Sequence, residues 1–264
     1  MPVAEFVERE HPRDKTGKFK ATSGLSTEQH FKNEKGEWAP ERQELHQSIV
    51  RKLIGGKNRS QHPTAYILGG GSASGKSTGF ERMYSEKFKH DIMHIDSDAI
   101  KDMIPEYEEL KRVNPEKAAA LVHEESSHLA KQAMAVATAK HIDFVYDSTG
   151  SGKALPQVAE RLHNEGFKVH AVYFDIPIPE ARKRAEKRAE RTGRHIPEDV
   201  IQGSHRGSAA TFMKMAESPH VTSARLFSNV DRVPALVYTG RGGGKGLVID
   251  QNAWKQYQEK AGVA

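Results

Sequence analysis

Apolar positions recur with two periods along this chain, and the alternation between them sets the expected fold. From Glu41 onward Leu45, Ile49, Val50 and Leu53 fall at helical spacing and Gly55-Gly56 follows as a stop, which predicts an amphipathic helix. Thr64-Ala65-Tyr66-Ile67-Leu68 is a short apolar run ending in Gly69-Gly70-Gly71, the pattern of a buried parallel strand feeding a loop. A helix is expected after Lys76, through about Lys87. Further strands are predicted at 91–95, 143–146, 168–174 and 232–238, the second and third separated by a largely helical stretch. Within that stretch Asn114-Pro115 reads as an N-cap followed by proline at the first helical position, and Leu121, Val122, Leu129 and Val136 form one apolar face. Strands alternating with helices imply an α/β fold, here a five-stranded, mostly parallel sheet flanked by helices on both sides. The glycine-rich run 240–246 precedes the strand-like Leu247-Val248-Ile249, so it reads as a hairpin turn rather than a second phosphate loop.

Residues 1–40 are polar, with charges alternating in sign and little apolar surface to bury, and read as a flexible tail ahead of a single domain at 41–264. A length of 264 residues with 36% hydrophobic content suits one α/β domain of ordinary size plus an appended segment. The 40 Lys and Arg against 35 Asp and Glu leave only +5, too small an excess for a nucleic-acid binder and better suited to an anionic small molecule. The absence of Cys excludes disulfides, thiolate metal sites and cysteine nucleophiles, and fits a reducing, cytoplasmic compartment. Neither a signal-peptide core nor the roughly 20-residue apolar stretch of a membrane span is visible, so no membrane partner is expected.

Gly70-Gly71-Ser72-Ala73-Ser74-Gly75-Lys76-Ser77 is a complete G-x-x-x-x-G-K-[ST] pattern between a predicted strand and a predicted helix, with Thr78 following it. Glycines there let backbone N–H groups converge on phosphate oxygens and the helix presents its positive end. The lysine reaches the β- and γ-phosphates, and the hydroxyl joins Mg²⁺. A dinucleotide G-x-G-x-x-G is a poor fit, because counted from Gly69 its third glycine position is Ser74. Phosphoryl transfer also needs a group for the acceptor hydroxyl. Asp96 and Asp98 leave the second strand at the carboxyl edge of the sheet, where phosphates sit, although one of them could instead cap the helix starting near Ala99. Asp147 ends the third strand before Gly150 and could hold a water of Mg²⁺ or an acceptor hydroxyl, or merely form the turn. Five arginines lie between Ala181 and Pro197, and Arg188 and Arg194 are the candidates for neutralising the transferring group.

These residues resemble the zeta toxin family of bacterial kinases from Glu41 to about Gln258. The likeness rests on Pro63–Gly70 running into the phosphate loop, on Ile95-Asp96-Ser97-Asp98, on Asp147-Ser148-Thr149-Gly150, and on Gly193-Arg194-His195-Ile196-Pro197. The resemblance implies a P-loop kinase fold and ATP- or GTP-dependent phosphorylation of a sugar-nucleotide hydroxyl, typically the 3′-OH of the sugar in UDP-N-acetylglucosamine. By position it implies Asp98 as general base, Lys76 and Ser77 on phosphate and Mg²⁺, and Arg188 and Arg194 on the γ-phosphate. Asp147 would stand where a glutamate can hold the sugar, with Thr149 and Gly150 beside it. The segment from His123-Glu124 to His128 is similar to a helix lining the acceptor cleft. It is not a zinc-protease helix, since its two histidines are five residues apart. Ser151 stands where cell-wall-directed members place an arginine, with Lys153 the nearest cation. The resemblance further implies a separate antitoxin, because residues 1–40 are too polar for a built-in one. Residues 10–19 separately resemble segments at the ends of some phage head-associated proteins, pointing to a phage-associated origin.

Overall fold

The computed structural model describes residues 24–83, 91–192, 196–244 and 246–263, with the side chains of 191 and 192 left aside. In chain order its helices are α1 (Thr27–Phe31), α2 (Pro40–Ile54), α3 (Lys76–Met83), α4 (Ser97–Lys101), α5 (Pro105–Val113), α6 (Pro115–Leu121), α7 (His123–Ala139), α8 (Leu155–Asn164), α9 (Ile178–Thr192), α10 (Glu198–Glu217) and α11 (Gln251–Ala261). Its strands are β1 (Thr64–Gly69), β2 (Met93–Asp96), β3 (Phe144–Asp147), β4 (Lys168–Asp175), β5 (Ser223–Ser228), β6 (Ala235–Gly240) and β7 (Leu247–Val248). Among the described residues no helix is long and apolar enough to cross a membrane.

The chain divides into two compact units, residues 1–53 with 97–133, and residues 54–96 with 134–264. The second contains the sheet, ordered β2-β3-β1-β4-β5-β6-β7. Its first five strands are parallel and its last two antiparallel. Seven strands therefore replace the expected five. The additional β5 carries no strand signal in its sequence, SARLFS, which is interrupted by the exposed Arg225 and shows no apolar run. The strand expected at 232–238 begins instead at Ala235, since Val233 is exposed and Pro234 has no N–H to give a ladder. Tyr238 pairs with Val248, so the glycine-rich run does close a hairpin.

Helices cover both faces of the parallel part, as crossover connections between parallel strands require. On one face Phe80 of α3 packs with Leu68, Val145, Val172, Phe174 and Phe227. On the other, Phe212 of α10 meets Tyr173 and Tyr238, and Trp254 of α11 stacks on Tyr238.

In the first unit, Asn114 caps α6 by accepting from Lys117 N–H, as its Asn-Pro signature anticipates. The apolar stretch after it is two helices rather than one, breaking at the buried Val122. Part of the segment read as tail is folded: Ser26 forms a capping box on α1, Thr27, His30 and Trp38 are buried, and Lys32 bridges to Trp38. One aromatic anchor and two polar groups taken out of water hold a segment that composition alone marks as solvated. Residues 1–23 of the expected tail lie outside the described residues.

Candidate active site

The phosphate loop leaves β1 at Gly69, and Gly70 N–H donates to Thr149 O across to the segment after β3 (3.1 Å). Ala73 (φ 63°) and Gly75 (φ 73°) are both left-handed, the alternation that curls successive amides into an anion-holding concavity. Gly79 N–H bonds back to Gly75 O (2.8 Å), so α3 starts directly from the loop and presents its positive end there.

Asp147, at the end of β3, pairs in register with Leu68 of β1 and with Asp96 of β2. The loop, Asp147 and Asp96 thus share one carboxyl edge of the sheet. Ser77 Oγ donates to Asp147 Oδ2 (2.7 Å) and Lys76 Nζ lies 3.3 Å from its Oδ1. Asp147 is therefore joined to the two side chains that end the motif and is more than a turn former. Ser77 and Asp147 offer two hard oxygens to a divalent cation. Among the described residues no group of three or more His, Cys, Asp or Glu could cage a metal. Mg²⁺ asks for less, one or two carboxylates completed by phosphate oxygens and water, so this pair fits it.

Four residues distant in sequence complete the loop's surroundings. Ser204 Oγ of α10 accepts from Ser72 N–H (2.9 Å), and His205 Nε2 donates to Ser72 O (3.0 Å). Asn229, just after β5, donates to Ser74 O and Gly75 O (2.8 and 3.0 Å). A β-carbon at Gly75 would lie 3.5 Å from Arg184 Nη1, so that guanidinium borders the loop. A β-carbon at Gly69 or Gly71 would collide with Tyr173 or His205 at 2.2 Å, which explains these two glycines by close packing. No local signal marks Ser204, His205 or Asn229. Arg184 sits among the five arginines, one helical turn before Arg188, and only packing of Ala181 and Ala185 near Ala73 distinguishes its face.

The remaining candidates fall as follows. Thr149 is exposed and its hydroxyl bonds to that of Ser151 (2.7 Å), while Gly150 (φ 68°) accepts from Tyr173 OH. Burial pushes the Tyr173 hydroxyl well above its ordinary value. Thr78 is exposed on the first turn of α3, and Arg188 is half-buried on α9. Arg194 lies outside the described residues. Asp98, His123 and Glu124 belong to the first unit. Asp98 opens α4 with its carboxylate bonded to Lys101 Nζ (2.7 Å). His123 and Glu124 are exposed at the start of α7, whereas their neighbour Glu125 is wholly buried. It takes hydrogen bonds from Arg42 Nε (2.6 Å) and Arg42 Nη2 (2.8 Å) and pairs with His46 Nε2 (2.7 Å). Burial alone would raise its pKa, but the bonds from His46 and Arg42 and the charge of Arg42 hold it at about 2.

A family model described as Zeta toxin matches residues 50–241. The chain belongs to the zeta toxin family. Among curated relatives, this zeta toxin family protein is 26% identical over 129 residues to Toxin zeta of Enterococcus hirae, covering 48% of this chain and 45% of that protein. It is 26% identical over 121 residues to Toxin PezT of Streptococcus pneumoniae, covering 46% and 47% respectively. The chain spans about half the length of the curated relatives it matches. The fold is shared with a structure of the PezAT chromosomal toxin-antitoxin system of Streptococcus pneumoniae, with TM-score 0.62, 17% identity, and coverage of 85% of this chain and 96% of that one. It is shared equally with AvrRxo1-ORF1:-ORF2 with ATP, with TM-score 0.62, 19% identity, and coverage of 85% and 74%. The match at 50–241 takes in every strand of the parallel sheet and the whole phosphate loop.

Proposed function

We propose that this chain is a kinase that moves the γ-phosphoryl of ATP or GTP to a hydroxyl of a small acceptor, the sugar 3′-OH of UDP-N-acetylglucosamine being the leading candidate, and that it acts as a bacterial toxin. The observation that carries this reading is Asp147 joined to both Lys76 and Ser77 at the mouth of a left-handed phosphate loop.

In this mechanism the loop amides and the start of α3 hold the donor phosphates, and Lys76 swings from Asp147 to the β- and γ-oxygens. A divalent cation held by Ser77 and Asp147 would neutralise charge on the bridging phosphates. Arg184, Arg188 and Arg194 supply positive charge to the transferring group. Asp98 takes the proton from the acceptor hydroxyl as its oxygen bonds to the γ-phosphorus and the bond to the departing nucleoside diphosphate breaks. Asp96 and Asp147 at the carboxyl edge of the sheet, with Thr149 and Gly150 after it, are the proposed contacts of the acceptor, and the family resemblance adds His123 and Glu124. The PezAT and AvrRxo1 structures are described as a toxin-antitoxin system and as a complex with ATP, which supports a separate neutralising partner and ATP as donor.

A second reading, the same chemistry on a different nucleotide or metabolite, is favoured by one observation. Where an acceptor-binding arginine would stand, Ser151 presents a hydroxyl already paired with Thr149. ATP consumption across a metabolite panel that includes UDP-N-acetylglucosamine separates the two. Asp98→Ala should lower turnover by about 10²-fold or more while leaving ATP affinity within a few-fold, whereas Lys76→Ala should damage both. If no acceptor stimulates turnover and both variants match wild type, the kinase reading is wrong. Lysis on expression in bacteria would point to a wall precursor, and normal growth to another acceptor.

A further inference from the structure

We infer that Lys101 is a positioning residue for Asp98, holding from below the carboxylate that the proposed reaction uses as its base. The inference rests on the kinase reading. Both residues belong to the first unit, so the pair is internal to one compact body.

Asp98 and Lys101 stand three positions apart on α4, which makes their side chains neighbours on one helix face. Lys101 Nζ donates to Asp98 Oδ1 at 2.7 Å. Such pairs are common on helix surfaces, where water and rotamer freedom loosen them. Lys111 on α5 makes one of that kind: it reaches Asp102 (3.3 Å) and Glu108 (2.8 Å) with 40% of its side chain in solvent. Lys101 differs, because its side chain is 5% exposed while that of Asp98 is 46% exposed. The cation lies inside and the carboxylate opens to water.

An ammonium taken out of water needs a matched charge. Among the described residues the one carboxylate bonded to Lys101 is Asp98. Ile100 and Ile104 nearby are both buried, so core packing alone would ask for another apolar side chain at 101. The backbone that carries the cation is itself fixed, since Ile104 N–H closes a turn on Lys101 O (3.0 Å).

What the cation supplies is orientation. A base in this reaction takes the acceptor proton while the acceptor oxygen bonds to the γ-phosphorus and the bond to the departing nucleoside diphosphate breaks. A half-exposed carboxylate rotates freely unless something holds it, and a bond from a buried donor to Oδ1 does so. That bond takes one of roughly four lone-pair positions and leaves capacity for a hydroxyl. An ammonium beside a carboxylate also weakens it as a base, so two effects oppose. Phosphoryl transfer depends mostly on positioning, and orientation therefore decides the sign: removing Lys101 should slow the reaction.

The test uses the full chain with ATP, Mg²⁺ and the acceptor panel that includes UDP-N-acetylglucosamine. Lys101→Met, folded by circular dichroism, should lower kcat by about 10- to 100-fold and leave the KM for ATP within about threefold. In an Asp98→Ala background the same substitution should cost nothing further, because Lys101 acts through that carboxylate. Wild-type kcat in folded Lys101→Met, a loss confined to the KM for ATP, or an equal loss with Asp98 absent would overturn the inference. A lysine that only holds the unit together lowers the melting temperature in both backgrounds and leaves the kcat of folded protein in place. If Lys101→Met does not fold, Lys101→Gln is read instead, with a kcat loss that vanishes in the Asp98→Ala background expected and wild-type kcat as the contrary result. The pair is also read without nucleotide, from the isotope-edited NMR signal of the Lys101 ammonium. Its protons should exchange slowly with water in wild type and fast in Asp98→Asn; fast exchange in wild type overturns the inference whatever the turnover. Should wild type phosphorylate no acceptor while those protons are protected, the kinase reading falls and the held carboxylate stands.

Discussion

Ala73 adopts φ 63°, a conformation that costs an L-residue about 1–2 kcal/mol through its β-carbon. Its methyl packs against the cluster of Ile176, Ala181, Ala185 and Ile201. Two opposing effects act on substitution there. Glycine removes the β-carbon strain but frees the unfolded chain and loses the methyl contact, so Ala73→Gly should stay within about 1 kcal/mol of wild type in urea unfolding. Valine adds a second branch at Cβ where the backbone tolerates it least, so Ala73→Val should cost about 2 kcal/mol or more and weaken ATP binding. Equal stability of the two variants would mean that the strain is released elsewhere in the loop. The motif from Gly70 to Ser77 was legible because its residues are contiguous. Ser204, His205 and Asn229 were not, because they reach Ser72 and Ser74 from 132, 133 and 155 positions away.

Helix α7 places Glu124 in solvent and Glu125 against α2, where Arg42 also forks onto both oxygens of Glu106 (2.8 Å each). One step along a helix turns a side chain by about 100°, so adjacent glutamates have unrelated surroundings. Glu125→Gln leaves the buried Arg42 with one carboxylate fewer and should destabilise by about 3 kcal/mol, whereas Glu124→Gln should lie within about 0.5 kcal/mol of wild type. The pH dependence follows in sign. The folded pKa of Glu125, about 2, lies below its ordinary 4.5, so the unfolded chain binds the proton more readily. Its contribution is complete above pH 4.5 and is lost as pH falls toward about 2. Unfolding free energy measured across that window should fall more steeply for wild type than for Glu125→Gln; parallel curves would remove Glu125 from the acid response.

On the scale of the whole molecule, a ligand that binds only the folded chain stabilises it by mass action. ATP with Mg²⁺ at about 100 times its Kd should add about 2.7 kcal/mol and raise Tm by several degrees. Thermal shift checks this, and Lys76→Ala should abolish the rise; a rise that persists would move the nucleotide away from the loop. The sequence by itself determined the α/β class, five of the strands in their approximate places, the hairpin after Gly240 and the phosphate loop. Each of these rests on short-range periodicity or on a contiguous motif, which the chain carries wherever it folds. Tertiary structure alone decided that β5 joins the sheet despite Arg225, that Trp38 anchors a segment of polar composition, and that Asp147 meets Lys76 and Ser77. It also decided that α10 stands behind Ser72. Those outcomes depend on which strands become neighbours, and strand order is set by burial of whole faces, a quantity that no local window of sequence contains.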